Sequence, residues 1–288
     1  MKTLLILDGD QRSALAATRS CGRAGYRVLT ASVEDQSIAA ASRFSSAAYN
    51  YPDPAQDPVK ACDAIAALIE ELQVDVLVPM TDITTHLLLY SESKRIRLTP
   101  TVSAPRELYT QASDKDHLIK IARNLGLSVP KSTLISTDIP LTELPRGFTY
   151  PVVLKPTKSR IPLKRGYLST TVRVAHNHEE FLAIQEADIW FKTAPWLLQS
   201  FVNGTGQGVF AIYDNGRPVA WFAHERIREK PPSGGVSVLS RSATLSIPLK
   251  AAAKTLLDGM QWHGPAMVEF RVAGDGTPYL MEINARFW

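Results

Sequence analysis

Short apolar runs alternate with amphipathic stretches over the first hundred residues of this chain, whereas beyond residue 150 the pattern turns mostly to strands. Leu4–Leu7 reads as a buried strand, Arg12–Ala24 as a helix and Arg27–Ala31 as a second strand. Pro58–Leu72 reads as a helix with Val59, Cys62, Ile65, Ile69 and Leu72 on one stripe, and Asp75–Pro79 as a third strand. Parallel strands need a crossover, and a helical crossover covers a face of the sheet. The alternation therefore predicts an α/β unit with helices on both faces. The remainder of the chain mixes strands and helices without that order, so the fold class expected is α/β plus α+β. At 288 residues the chain exceeds one compact core, and two or three domains are expected.

The second segment opens at Ser113-Asp114-Lys115-Asp116, whose acids complement a helix dipole, and its helix stops at Gly126. Strands are predicted at Val152–Lys155, Thr170–Val174, Trp196–Val202, Val209–Tyr213, Pro218–Ala223, Ala266–Val272 and Tyr279–Ile283, with helices at Glu179–Glu186 and Leu249–Met260. The last two strands flank Gly274-Asp275-Gly276, a hairpin turn. Period two puts Glu282 and Asn284 on one face, where Glu269 can join them across the ladder and Arg286 can hold an anion. Oxygen donors of this kind suit a hard cation that keeps waters and binds phosphate, which describes Mg²⁺ better than Zn²⁺. The bland alternative is a surface hairpin with solvated charges.

Composition removes several classes. The formal net charge is +4, and no basic run with interleaved aromatics argues for nucleic acid. Cys21 and Cys62 both fall in predicted helices, which speaks against a disulfide framework and fits a reducing compartment. The apolar start is too short for a signal peptide and meets Asp8 and Asp10, and no stretch reaches the length of a membrane span; a cytoplasmic protein is expected. Asp8-Gly9-Asp10-Gln11-Arg12-Ser13 lacks G-x-G-x-x-G, which disfavours a dinucleotide site.

Other residues invite chemistry singly. Lys155 ends an apolar run, where an ammonium is costly unless it meets an anion. The basic loop 157–166 has the character of a flap over a triphosphate but little glycine. Asp82 follows the third strand at its carboxyl end, either as a substrate contact or as a helix cap. Arg226 and Arg228 lie ahead of a turn containing Ser233, Gly234 and Gly235 and could clamp a carboxylate, unless the segment is a flexible solvated hairpin.

The order Asp114-Lys115, Val153-Leu154-Lys155-Pro156, Gln199-Ser200-Phe201-Val202-Asn203-Gly204, Val268-Glu269-Phe270, Met281-Glu282-Ile283-Asn284-Ala285-Arg286 resembles the ATP-grasp superfamily. It is closer to the carbamoyl-phosphate-synthetase-like branch of carboxylate–amine ligases. That resemblance implies a Rossmann-like pre-ATP-grasp domain at 1–110, an N-terminal ATP-grasp lobe at 111–195 and a C-terminal lobe at 196–288. It implies ATP and Mg²⁺ (or Mn²⁺) as cofactors. Lys115 and Lys155 would contact the nucleotide phosphates, Gln199, Ser200, Phe201 and Val202 would hold the adenine, and Thr205 would face the ribose. Glu269, Glu282 and Asn284 would bind Mg²⁺, and Arg286 would act with Lys155 on the transferred phosphoryl group or the acyl-phosphate. Arg226, Arg228, Ser233, Gly234 and Gly235 would lie beside the acceptor. The activity implied is ADP-forming ligation of a small carboxylate to an amine or thiol through an acyl-phosphate, with a homodimer as the commonest assembly. A kinase-like or non-catalytic ATP-binding protein of the same fold is the alternative. The chain departs from the family in three ways: Thr205 replaces a ribose-binding acid, Gln199-Ser200 replaces a hinge acid, and the chain stops at Trp288, as a truncated form with an incomplete last lobe would.

Overall fold

The structure, a computed structural model, describes residues 1–136, 141–158, 160–162, 167–230 and 236–288. Its first unit runs β1 (Thr3–Ile6), α1 (Arg12–Arg23), β2 (Arg27–Ser32), β3 (Ala47–Asn50), α2 (Pro58–Leu72) and β4 (Val76–Val78). Three short helices come next, α3 (Asp82–Leu89), α4 (Lys94–Leu98) and α5 (Arg106–Ser113). The strands form one parallel sheet in the order β3-β2-β1-β4. Side-chain alternation builds a core on each face. Leu5, Leu29 and Leu77 pack with Ile65 and Ile69 of α2, while Ile6, Val28 and Val78 pack with Ala14 of α1. The expected sheet with helices on both faces is thus present, and β3 and α3–α5 are additions to it.

α6 (Lys115–Asn124) begins at Asp114, whose carboxylate accepts the Asp116 and His117 amides at 3.1 Å each. After it come β5 (Ser132–Ile135), β6 (Val152–Pro156), the hairpin β7 (Arg160–Pro162) and β8 (Tyr167–Ser169), β9 (Arg173–Ala175), α7 (His178–Ala187) and β10 (Trp196–Ser200). The second sheet has the order β5-β10-β6-β9 and is antiparallel throughout. Since β10 lies between β5 and β6, the boundary expected at 195/196 falls beside a strand that belongs to this sheet. The predicted strand at Thr170–Val174 is placed later, at β9.

β11 (Gly204–Asp214), β12 (Arg217–Lys230), β13 (Val236–Ser242), α8 (Ile247–Gly259), β14 (Gly264–Ala273) and β15 (Pro278–Asn284) complete the chain. Their sheet has the order β13-β12-β11-β14-β15. One face carries Val209, Ala211, Val268, Phe270 and Ile283 against Leu256 and Leu257 of α8 and Leu118 and Ala122 of α6. β12 extends well past the predicted Pro218–Ala223, because β13 supplies a ladder partner as far as Lys230. The Arg226–Lys230 segment is therefore strand, paired antiparallel with β13.

Candidate active site

The opposite face of the third sheet holds the charged groups. β14 and β15 turn through Gly276, whose φ is +85 and whose N–H donates to the Ala273 carbonyl at 2.9 Å. The register sets Glu269 opposite Glu282 and Met267 opposite Asn284, so the two carboxylates and the amide share a face as the alternation predicts. The ladder then slips. Phe270 pairs with Leu280, leaving Met281 as an extra residue, and the Lys155 ammonium of β6 donates to the Met281 carbonyl at 2.9 Å. At this bulge a side chain of the second sheet is hydrogen-bonded to the backbone of the third.

Lys115, the first residue of α6, donates its N–H to the Thr157 carbonyl at 2.9 Å and sets its ammonium 3.5 Å from Glu282 Oε2. Both lysines are buried, each only 5 % exposed. Burial, helped by Lys115 and Arg226, pulls Lys155 down to about 8 against the opposing pull of Glu282 and Glu269. Burial and then the facing Glu282 push Glu269 above its ordinary range, against Arg226 and Lys155. Burial also acts against ionisation of Glu282, but Lys115 and Lys155 outweigh it and hold that carboxyl low. Two facing carboxylates survive here because each has its own cation.

Arg226 is the cation for Glu269. Its Nη2 contacts Glu269 Oε2, and its Nη1 lies 3.1 Å from Glu229 Oε1. Glu229 in turn receives Arg271 at 2.8 Å, and Arg271 Nη1 donates to the Gly204 carbonyl at 2.8 Å. A side chain at Gly206 would meet Arg226 Cδ at 2.8 Å and Glu229 Oε1 at 3.0 Å, so glycine there keeps the network flat on the sheet. Arg226, read from sequence as part of a substrate clamp, is thus spent on two carboxylates. Arg228 is exposed on β12, and Ser233, Gly234 and Gly235 lie outside the described residues.

Asp82 does not cap its helix. Thr81 does, accepting the Thr84 amide at 3.3 Å in a capping box, and Asp82 reaches Arg286 Nε at 3.0 Å instead. Arg286 also spans to Asn284 Oδ1 at 3.4 Å. Gln199 is buried with its amide donated to Ser132 Oγ at 2.9 Å, while Ser200 N–H donates to the Lys131 carbonyl at 2.9 Å. Phe201 and Val202 are half-buried just beyond β10, and Thr205 is exposed on β11. Sequence reasoning passed over Asp8. Its Oδ2 accepts from Met80 N–H and Thr81 N–H at 2.9 Å each and from Thr84 Oγ1 at 2.5 Å, and its Oδ1 accepts from Tyr51 Oη at 2.9 Å. It ties the loop after β1 to the loop after β4.

Among the described residues no group of three or more His, Cys, Asp or Glu side chains is arranged to hold a metal by itself. Two carboxylates with an amide oxygen fit a hard cation that takes its other ligands from water and phosphate, so Glu269, Glu282 and Asn284 fit Mg²⁺. A cavity of about 120 Å³ runs from Glu282 and Asn284 past Lys115 and Lys158 to His86 and Tyr109. A second, of about 560 Å³, opens at the carboxyl ends of β1 and β4 beside Arg286.

No family model matches the chain. Over 179 residues, 60 % of its length, it is 26 % identical to the carbamoyl phosphate synthase large chain of Pseudothermotoga lettingae. A crystal structure of N5-carboxyaminoimidazole ribonucleotide synthetase in its ADP complex superposes on 99 % of the chain with a TM-score of 0.72 and 22 % identity. The biotin carboxylase domain dimer of Hydrogenobacter thermophilus 2-oxoglutarate carboxylase, in complex with MgADP, ADP and bicarbonate, superposes on 100 % with a TM-score of 0.74 and 14 % identity. The chain spans 15 % of the length of the first of these proteins and 70 % and 64 % of the two crystallised chains.

Proposed function

We propose that this chain, an ATP-grasp protein by its fold, is an ADP-forming ligase that joins a carboxylate to an amine or thiol. The observation that carries this reading is the gathering of Lys115 and Lys155 about Glu282, with Glu269 and Asn284 on the same face and Arg286 beside Asn284. The likeness to ADP- and MgADP-bound proteins supports ATP as the nucleotide. Residues 1–110 form the pre-ATP-grasp domain in this reading, 111–195 the N-terminal lobe and 196–288 the C-terminal lobe, with β10 completing the sheet of the N-terminal lobe. A cytoplasmic homodimer acting on small molecules is the setting proposed; among the described residues no helix is long and apolar enough to cross a membrane.

Lys115 and Lys155 hold the phosphates in a buried, low-dielectric site where each charge counts for more than in water. Glu269, Glu282 and Asn284 are the residues that would hold Mg²⁺, or Mn²⁺ in its place, and the bound ion would supply charge neutralisation to the phosphates. Residues 198–202 wall the adenine and Thr205 meets the ribose. A substrate carboxylate oxygen held near Arg286 attacks the γ-phosphorus, the bond to ADP breaks, and an acyl-phosphate forms. The amine then attacks the acyl carbon, its proton leaves and phosphate departs. Positioning and charge stabilisation carry both steps, so no protein nucleophile is needed.

Calorimetry with Mg·ATP tests the reading, with NAD as control. Mg²⁺-dependent ATP binding and no NAD binding are expected. A folded sample that ignores ATP overturns the proposal. ADP release that needs a carboxylate and an amine separates the ligase from a kinase-like or purely binding protein.

A further inference from the structure

The cavity of about 560 Å³ has a composition that the ligase chemistry does not by itself demand. Arg12 and Arg286 contribute guanidinium groups, and Asp10 and Asp82 contribute carboxylates. Met80, Ile83 and Trp288 supply the apolar part of the wall. Its volume falls within the range of small-molecule sites, roughly 300–1,000 Å³.

We infer, building on the ligase reading, that this cavity seats the carboxylate substrate and that the substrate is a zwitterion of the α-amino acid class. Arg286 decides where the reacting carboxylate goes, because the same guanidinium reaches Asn284 at 3.4 Å on the metal-type face and Asp82 at 3.0 Å on the cavity side. A substrate carboxylate that takes Arg286 displaces Asp82. The released Asp82, with Asp10 also on the cavity wall, then faces the ligand with negative charge. A simple carboxylic acid brings the cavity one negative charge more than its two guanidiniums balance, whereas an ammonium beside the carboxylate restores the balance. Paired charges of both signs thus select a ligand that carries both.

The spacing of the two acids is set in advance. Asp8 fastens Met80 and Thr81, immediately before Asp82, while Gly9 donates its N–H to the Ala31 carbonyl at 3.0 Å, immediately before Asp10. Asp10 is itself approached by Ser32 Oγ at 3.4 Å and by the Gln11 amide. A floor held this way does not have to order itself around the ligand, which lowers the cost of binding. Trp288, 43 % exposed and edge-on to His224 at 5.0 Å, offers its ring to the carbon skeleton.

The test begins with Mg·ATP calorimetry and continues on the same protein with glycine and the L-α-amino acids other than tryptophan and tyrosine, each compared with its deaminated acid (L-alanine with propionate, L-glutamate with glutarate). Tryptophan emission in the presence of Mg·ADP reports binding, and Trp288→Phe shows whether the signal comes from the cavity. At least one amino acid is expected to change the emission in wild type but not in Trp288→Phe. Its deaminated counterpart should need roughly tenfold higher concentration, as for a lost charge-assisted contact. With ATP, the same amino acid should speed ADP release, and Asp10→Asn should raise its KM about tenfold while leaving the KM for ATP unchanged. Equal action of propionate or glutarate overturns the inference, as does an Asp10→Asn variant with unchanged amino-acid KM. Binding of Mg·ATP without response to any amino acid also overturns it and leaves the ligase reading standing. Failure to bind Mg·ATP removes both.

Discussion

Replacing Asp8 by Ala should cost about 5 kcal/mol of stability, and the structure shows where that loss arises. Asp8 is 6 % exposed and sits at φ 55, with both carboxylate oxygens accepting hydrogen bonds. Two of its four donors have another acceptor at hand: Thr81 N–H lies 3.4 Å from Thr84 Oγ1, and Thr84 Oγ1 lies 3.3 Å from the Thr81 carbonyl. Met80 N–H and the Tyr51 hydroxyl lose the partner that the structure gives them. Each buried donor left unmet costs ~2 kcal/mol. Ala at positive φ adds ~1 kcal/mol, which Gly avoids. Equilibrium urea unfolding should therefore rank wild type above Asp8→Asn, then Asp8→Gly, then Asp8→Ala. A loss below about 1 kcal/mol for Asp8→Ala refutes the reasoning, and so does Ala matching Gly. The pH dependence has a definite sign. Burial raises the Asp8 carboxyl above its ordinary 3.8 despite the four hydrogen bonds. Its contribution is full below 3.8 and is lost as pH climbs through the raised value. The advantage of wild type over Asp8→Asn should shrink from acid to neutral pH; a widening gap contradicts the burial argument.

Glu282→Gln removes the carboxylate shared by Lys115, Lys155 and the proposed metal, and should cut Mg²⁺-dependent ATP turnover at least about 100-fold with an unchanged near-ultraviolet dichroism spectrum. Near-normal turnover refutes the metal assignment. Lys155→Met should weaken Mg·ATP binding roughly tenfold to a hundredfold by calorimetry, while adenosine affinity stays the same. Lys155 titrates near 8 in the folded protein against 10.5 ordinarily, so the unfolded chain binds the extra proton between those values. Wild-type stability should rise over that window relative to Lys155→Met, and parallel pH curves would argue against a buried ammonium. Gly264→Ala should cost at least about 2 kcal/mol in urea unfolding, because φ is +86 and the new Cβ meets the Ser103 carbonyl group at 2.7 Å. A neutral result there removes the strain argument.

The terminal hairpin was legible because every signal in it is local. A period of two places Glu282 and Asn284 together, and two glycines around Asp275 close the turn within four residues of the ladder. The bounds of α2 were legible to the residue, since Asp57 caps it and Pro58 opens it, although Val59 of the expected stripe is 68 % exposed. β13 and the far half of β12 were not. Arg226-Ile227-Arg228-Glu229-Lys230 carries charges at nearly every position, and only pairing with Val236–Ser242 makes it a strand. β5 was hidden in the same way, since its four residues are held by β10 more than sixty positions away.

By itself, then, the sequence determined what local periodicity and turn chemistry can carry: the parallel unit, the start of α6 at Asp114, and the shared face of Glu269, Glu282 and Asn284. Tertiary structure alone decided which charges meet. The slip at Met281 that receives Lys155, the capture of Glu269 by Arg226, the pairing of Asp82 with Arg286 and the anchoring of two loops on Asp8 join residues 43 to 204 positions apart. A charged residue's partner is chosen by the cost of burying it alone, and that cost exists only once the sheets have closed over it.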